Sequence, residues 1–204
     1  YLFVHKVVPY LKDLTHEKIF SHSLRIFGMG ESQVEAVLHD MMVEGANPTL
    51  APYAKTGEVQ LRATAKAPTE EAAEEMLRPV LEKVRETLGD VVYGVDVESL
   101  EEVVLAELKS RGRTLSAAES CTGGLLAKRI TDLPGASAVF RGGVVSYTNG
   151  VKAEVLGVPQ ALLDAHGAVS EPVAVAMAEG CRRVCGSDYA LAGTRGAGPG
   201  RGDR

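Results

Sequence analysis

TLSAAESCTGG, residues 114–124, decides how the second half of this chain is read. It opens on alternating small and apolar residues and closes on two glycines. Leu125, Leu126 and Ile130 follow at helical spacing. The pattern predicts a strand over Thr114–Ala118, a tight turn, and a helix over Thr122–Thr131. Ser120, Cys121 and Thr122 fall on the turn, where hydroxyls and backbone N–H groups can converge on one bound group. A helix start also presents unpaired N–H groups and the positive end of its dipole. An anion is therefore expected there, either a phosphate or the oxyanion of a reacting amide.

Working outward, strands and helices alternate. A capping box at Ser99 and Glu102 starts a helix carrying Leu100, Val103, Val104 and Leu108, which Gly112 stops. Gly143–Tyr147 reads as a strand. Lys152–Leu156 and Pro159–Ala165 read as short helices. Ser170 is expected to cap a longer helix with Pro172 in its first turn, a stripe of Val173, Met177, Cys181 and Val184, and Gly186 at its end. Tyr189–Thr194 is a further strand. This is the alternation of an α/β sheet with helices on both faces.

The first half has a different grammar. Phe20, His22, Leu24 and Ile26 alternate with Ser21, Ser23 and Arg25, as in a half-buried strand. Gly28-Met29-Gly30 breaks it, and Val34, Val37, Leu38, Met41 and Met42 mark a helix. A short strand over Thr49–Ala54 and a turn at Lys55-Thr56-Gly57 lead into Glu58–Ala65, with Val59, Leu61, Ala63 and Ala65 inward. Thr69 is placed to cap a helix with the stripe Ala73, Leu77, Val80, Leu81, Val84 and Leu88, kinked at Pro79. Val91–Val95 is a last strand. The order β-α-β-β-α-β is that of the ferredoxin-like split βαβ unit. The expected layout is residues 1–14 as the tail of a preceding domain, 15–97 as this small α+β domain, and 98–204 as the α/β domain.

Composition excludes several classes. Forty-five per cent of the 204 residues are hydrophobic, enough for a packed core in each half. A net charge of −5, with no Trp, six Tyr and four Phe, leaves no basic or aromatic field for nucleic acid. No apolar run approaches the ~18 residues of a membrane span. The three cysteines, Cys121, Cys181 and Cys185, do not make a disulfide framework and fit a reducing cytoplasm. YLFVHKVVPYL has no basic leader or small-residue cleavage site, unlike a signal peptide. Both ends read as cut: Tyr1 opens inside an amphipathic pattern, and GAGPGRGDR closes on a glycine-rich loop.

For chemistry, Ser120 and Lys152 come first. A serine needs a neighbouring base, and a lysine whose pKa is depressed by burial can supply one. Strand ends gather at one edge of a parallel sheet, so Tyr147 and Lys152, after the VVSYTN strand, can meet Ser120. The competing reading makes Ser120 a helix cap and Lys152 a solvated surface lysine. Cys121 is a rival nucleophile at a helix start, but lacks a clear His partner and reads better as a small buried side chain. Cys181 and Cys185, one helical turn apart, lack further metal ligands and read as core. His166 and Asp164 suggest a triad with Ser120, but two residues apart they point in different directions. The loop GTRGAGPGRG can cradle a phosphate through its N–H groups, though it is not a Walker loop.

AAESCTGG (117–124), ITDLPGAS (130–137), FRGGVVSYTNGVKAEVLGV (140–158), HGAVSEPVAVAMAEG (166–180) and AGP (197–199) together resemble the nicotinamide-nucleotide amidase domain at the C-terminus of the competence/damage-inducible protein A (CinA) family. The first half is similar to that family's KH-like middle domain. VVPYL resembles the tail of the molybdopterin-binding-like domain before it, which the family associates with metal-dependent ADP-ribose pyrophosphatase activity. The resemblance implies hydrolysis of nicotinamide mononucleotide to nicotinate mononucleotide and ammonia. It implies Ser120 as nucleophile, Lys152 as base, Tyr147 in the proton network, N–H groups around Thr122, Gly123 and Gly124 on the oxyanion, and Thr194 with its loop on ribose or phosphate. It implies a cytoplasmic homodimer and no metal or redox cofactor for the amidase domain. It also places later strands, helices and a basic site residue beyond Arg204. The family loop reads TGIAGPGGG where this chain has TRGAGPGRG, so Arg195 stands at a glycine position. Two other readings stay open: a non-catalytic binding or dimerisation module, with Gly28-Met29-Gly30-Glu31 too acidic and wrongly spaced for a KH loop, and a Ser-Lys hydrolase of another acyl group.

Overall fold

The alternation in residues 58–67 builds the centre of a sheet. In the computed structural model, which describes residues 1–14 and 17–194, Val59, Leu61, Ala63, Ala65 and Ala67 are buried along β3 (Glu58–Ala67). β3 pairs antiparallel with β1 (Lys18–Phe27) from Lys18↔Ala67 to Phe27↔Glu58, and with β2 (Thr49–Lys55) on its other side. β4 (Val92–Val95) lies on the far side of β1, giving the order β2-β3-β1-β4. With α2 (Glu31–Glu44) and α3 (Glu70–Leu88) as crossovers, this is the split βαβ topology. Before the sheet, a π-helical turn (Phe3–Val7) leads into α1 (Val8–Leu14).

The core of this unit joins Leu24, Ile26 and Leu61 of the sheet to Val34 and Leu38 of α2 and Leu77 and Val84 of α3. Each such side chain is worth about 1.5–3 kcal/mol when fully buried. Thr69 caps α3 by accepting a hydrogen bond from the Ala72 N–H at 3.2 Å. The helix runs on through Pro79. Pro79 and Glu75 both stand exposed, so water can satisfy the Glu75 carbonyl that loses its helical partner.

His22 lies on the inward face of β1, as its alternation predicts. Its Nε2 meets Glu74 of α3 at 2.7 Å and its Nδ1 meets Asp96 just past β4. The Asp96 hydrogen bond raises its pKa above the ordinary value; burial opposes this and Glu74 adds to it. A raised folded-state pKa gives stability that is complete below about pH 6.5 and is lost as pH climbs through the folded value. The first unit is therefore expected to lose stability as pH rises above about 6.5. His22→Gln should flatten that dependence in denaturation midpoints taken from pH 5 to 9; a variant with the wild-type slope would contradict this assignment.

The chain divides into the units Tyr1–Leu100 and Glu101–Arg204. The second is built on a parallel sheet of order β6-β5-β7, with β5 (Leu115–Glu119) between β6 (Phe140–Val145) and β7 (Tyr189–Gly193). Every residue of β5 is buried. Leu115 packs with Leu105 of α4 (Leu100–Ser110) and Ile130 of α5 (Leu125–Thr131). Ala118, on the opposite face, packs with Leu163 of α7 (Gln160–His166) and with Val173, Met177 and Cys181 of α8 (Glu171–Cys185). The sheet is thus flanked by helices on both faces. At its entry edge Asp188 binds the N–H and hydroxyl of Thr114, each at 2.8 Å, tying the start of β7 to the start of β5.

Several expectations need correction here. The helix expected over Lys152–Leu156 spans Asn149–Glu154, and Val184, expected in the buried stripe of α8, is exposed. α5 begins at Leu125, not Thr122, because Ser120–Gly124 forms a separate turn. Ser170 stands at the N-cap of α8 but makes no capping bond; its hydroxyl donates to the Gly167 carbonyl instead. Gly180 matters more for packing. A Cβ there would stand 2.0 Å from the Leu156 carbonyl oxygen, so only glycine lets α8 settle on this segment. Gly180→Ala is expected to cost about 1–3 kcal/mol, read as a lower midpoint in chemical denaturation. An unchanged midpoint would mean that α8 has room to shift.

Candidate active site

Parallel pairing brings three strand ends to one edge. Glu119 is in register with Val145 on one side and Gly193 on the other, so Ser120, Ser146 and Thr194 each begin the turn after a strand. The Ser120 N–H donates to the Gly193 carbonyl at 3.0 Å, and the Ser146 N–H donates to the Glu119 carbonyl at 2.7 Å. The nucleophile candidate is therefore fixed from both neighbouring strands.

Lys152 reaches this edge from α6 (Asn149–Glu154). Thr148 caps that helix, its hydroxyl accepting from the Val151 N–H. The Lys152 side chain is 1% exposed. Its Nζ lies 3.1 Å from Ser120 Oγ, 2.6 Å from the Ser146 carbonyl and 3.4 Å from the Tyr147 carbonyl. Carbonyls only accept, so a neutral amine gives them its two hydrogens. Its lone pair is then left for the Ser120 hydroxyl, which can donate to it. Burial disfavours the ammonium and lowers the Lys152 pKa below the ordinary lysine range; Cys121 opposes this electrostatically. Geometry and desolvation both favour a base aimed at Ser120.

Glu119, just before Ser120, points to the other face of β5 and is 1% exposed. Its Oε1 accepts from the Ala127 N–H at 2.9 Å; its Oε2 accepts from Leu126 at 2.9 Å and Gly124 at 3.2 Å. The Thr122 hydroxyl also favours its charged form. Burial pushes the Glu119 carboxyl up, but these bonds outweigh it and hold its pKa below the usual carboxylate range. The start of α5 is thus filled by the protein's own anion.

Two family models match the chain. A family model described as the CinA C-terminal domain matches residues 97–204, and one described as the damage-inducible protein CinA KH domain matches residues 21–94. The chain belongs to the CinA family. A CinA-like protein of Desulfovibrio desulfuricans is 52% identical over 196 residues, covering 96% of this chain and 46% of that protein. One from Dictyoglomus turgidum is 46% identical over 193 residues, covering 95% of this chain and 47% of its own. The chain spans about half the length of the curated relatives it matches. Among solved structures, the competence/damage inducible protein CihA from Agrobacterium tumefaciens is 42% identical, with 51% of this chain and 63% of that one covered and a TM-score of 0.47.

In this CinA-family chain the expected site residues divide. Ser120 and Lys152 come together. Tyr147 does so only through its backbone: its carbonyl accepts from Lys152, while the residue is 68% exposed. Tyr147, expected in the proton network, thus meets the amine through its carbonyl. The expectation that Gly123 and Gly124 offer N–H groups to an oxyanion also changes. The Gly123 N–H donates to the Ser120 carbonyl at 3.1 Å, and the Gly124 N–H is held by Glu119. The N–H groups of Cys121 and Thr122 have no hydrogen-bond partner among the described residues. The Thr194 hydroxyl donates to the Ala168 carbonyl at 2.6 Å. The expectations for Arg195 and the glycine loop after it lie outside the described residues.

Of the rival candidates, Cys121 stays on the turn that carries Ser120. Cys121 is half-buried, not buried, while Cys181 is buried in the α8 core, its sulfur 3.9 Å from that of Cys185. Asp164 is bonded by Gln160 at 2.8 Å and His166 is exposed on α7. Among the described residues, no group of three or more His, Cys, Asp or Glu side chains could hold a metal ion, and no helix is long and apolar enough to cross a membrane. Two contributors escaped the sequence reading, Glu119 and the Ser146 carbonyl. A carboxylate at a strand end, five residues before Gly124, was the available signal for Glu119. Nothing in the side-chain pattern marks a backbone carbonyl.

Proposed function

We propose that the second unit is a Ser-Lys amidase that hydrolyses nicotinamide mononucleotide to nicotinate mononucleotide and ammonia. The observation that carries the reaction type is the buried Lys152 amine, 3.1 Å from Ser120 Oγ, with two carbonyls occupying its hydrogens. Family membership supports the choice of substrate.

In this reading Ser120 Oγ attacks the carboxamide carbon as its proton passes to Lys152 Nζ. The oxyanion forms against the N–H groups of Cys121 and Thr122; a single donor of this kind is often worth about 3–4 kcal/mol. As the intermediate collapses, the C–N bond breaks and Lys152 returns the proton to the departing nitrogen, giving ammonia. A water molecule then attacks the Ser120 ester, passing its proton to Lys152. The product leaves as its carboxylic acid, which then gives its proton to the released ammonia, and Ser120 recovers its hydrogen from Lys152. Nothing is oxidised or reduced, and the net change is one water consumed for one ammonia released.

The test is ammonia release from nicotinamide mononucleotide by the wild-type chain, alongside labelling of Ser120 by a fluorophosphonate. Release together with labelling is the expected result. Labelling without release would move the assignment to a Ser-Lys hydrolase of another acyl group.

A further inference from the structure

The Ser-Lys chemistry uses the side chain of Ser120 and leaves its neighbour unexplained. Glu119 is a fully buried carboxylate with no cationic partner among the described residues, satisfied instead by three backbone N–H groups. Leu126 and Ala127 lie in the first turn of α5, where N–H groups have no helical acceptor. Gly124 has a φ of +102° and ends the nucleophile turn. Glu119 therefore binds both ends of one short arc: its backbone leads into Ser120, and its side chain grips the residues where that arc becomes helix. Its own carbonyl accepts from the Ser146 N–H, and from the Ser146 hydroxyl at 3.3 Å. Ser146 in turn presents the carbonyl that accepts from Lys152 at 2.6 Å.

We infer that Glu119 is a positioning residue for the Ser-Lys pair: its carboxylate sets the arc that aims Ser120 Oγ, and its carbonyl sets the strand end that orients Lys152. The role rests on the amidase reading for its substrate but not for its geometry. A glutamine cannot replace it. Only one of its two terminal atoms accepts, so its NH2 would face backbone N–H groups that now find oxygen. An aspartate keeps both oxygens but stands one methylene short.

The test compares wild type, Glu119→Gln and Glu119→Asp by the rate of fluorophosphonate labelling at Ser120 across pH, and by kcat and KM for ammonia release. In Glu119→Gln, labelling and kcat are expected to fall tenfold or more. KM should stay within about threefold, and the inflection pH should be that of wild type, because the amine's burial is untouched. Glu119→Asp should recover part of the rate. A Glu119→Gln protein that is folded by circular dichroism and labels within twofold of wild type would overturn the inference. So would a shifted inflection with an unchanged plateau, since Glu119 would then be tuning the base and not aiming the nucleophile. Should Glu119→Gln not fold, Glu119→Asp decides: slowed labelling supports the role, and wild-type labelling overturns it. A wild type that labels at Ser120 but releases no ammonia sinks the substrate assignment alone, because the labelling comparison still reads Glu119.

Discussion

Ser120→Ala is expected to lower ammonia release from nicotinamide mononucleotide by about a thousandfold or more, with the fold intact. Removing a nucleophile eliminates the covalent route, and what remains is the modest acceleration from binding and oxyanion contacts. Stability should change little. The hydroxyl contributes one contact to Lys152, and the backbone bond from Ser120 to the Gly193 carbonyl survives the substitution. The measurement is kcat/KM for wild type and variant at equal, verified folded concentrations. Activity within tenfold of wild type would contradict the assignment and turn attention to Cys121, the neighbouring thiol on the same turn.

Lys152→Arg is the second large effect, with an expected loss of about 10²- to 10⁴-fold in kcat. It separates two roles that Lys152→Ala confounds. Arginine keeps a positive charge and several donors, but it does not deprotonate in proteins and cannot take a proton from Ser120. A lysine acting only as a fixed charge would tolerate the change in part; a lysine acting as base would not. The sign of the pH dependence follows from the same chemistry. Burial depresses the Lys152 pKa, so the neutral, active form appears on raising pH through a value below that of free lysine. Wild-type kcat/KM should rise along that limb, and the residual activity of Lys152→Arg should not. Because the two residues act as one unit, the Ser120→Ala/Lys152→Ala double variant should be hardly worse than either single variant.

Much of the architecture was legible in the residue pattern because periodicity reports burial directly. Val59, Leu61, Ala63 and Ala65 alternate in sequence and are buried in β3; the Ala73–Leu88 stripe lies along α3 as its spacing requires. The meeting of Ser120 with Lys152 was also legible, from the rule that parallel strands end at a common edge. Their separation of about 3 Å was not, nor was the depth of Lys152, because a lysine in sequence is read as solvated. The oxyanion expectation missed for a related reason. Free N–H groups at a helix start invite an anion, but periodicity does not reveal that Glu119 folds back to supply one. Tyr147 was placed near the base correctly, yet its contribution is a carbonyl, which every residue carries and no side-chain pattern marks.

The protonation state of one buried amine is the hinge of this account. Site-resolved NMR titration of the lysine side chains, with Lys152→Arg used to assign the Lys152 resonance, measures it without any substrate. Lys152 is expected to titrate below the ordinary lysine value. A Lys152 resonance that titrates at the ordinary lysine value of about 10.4 would contradict it.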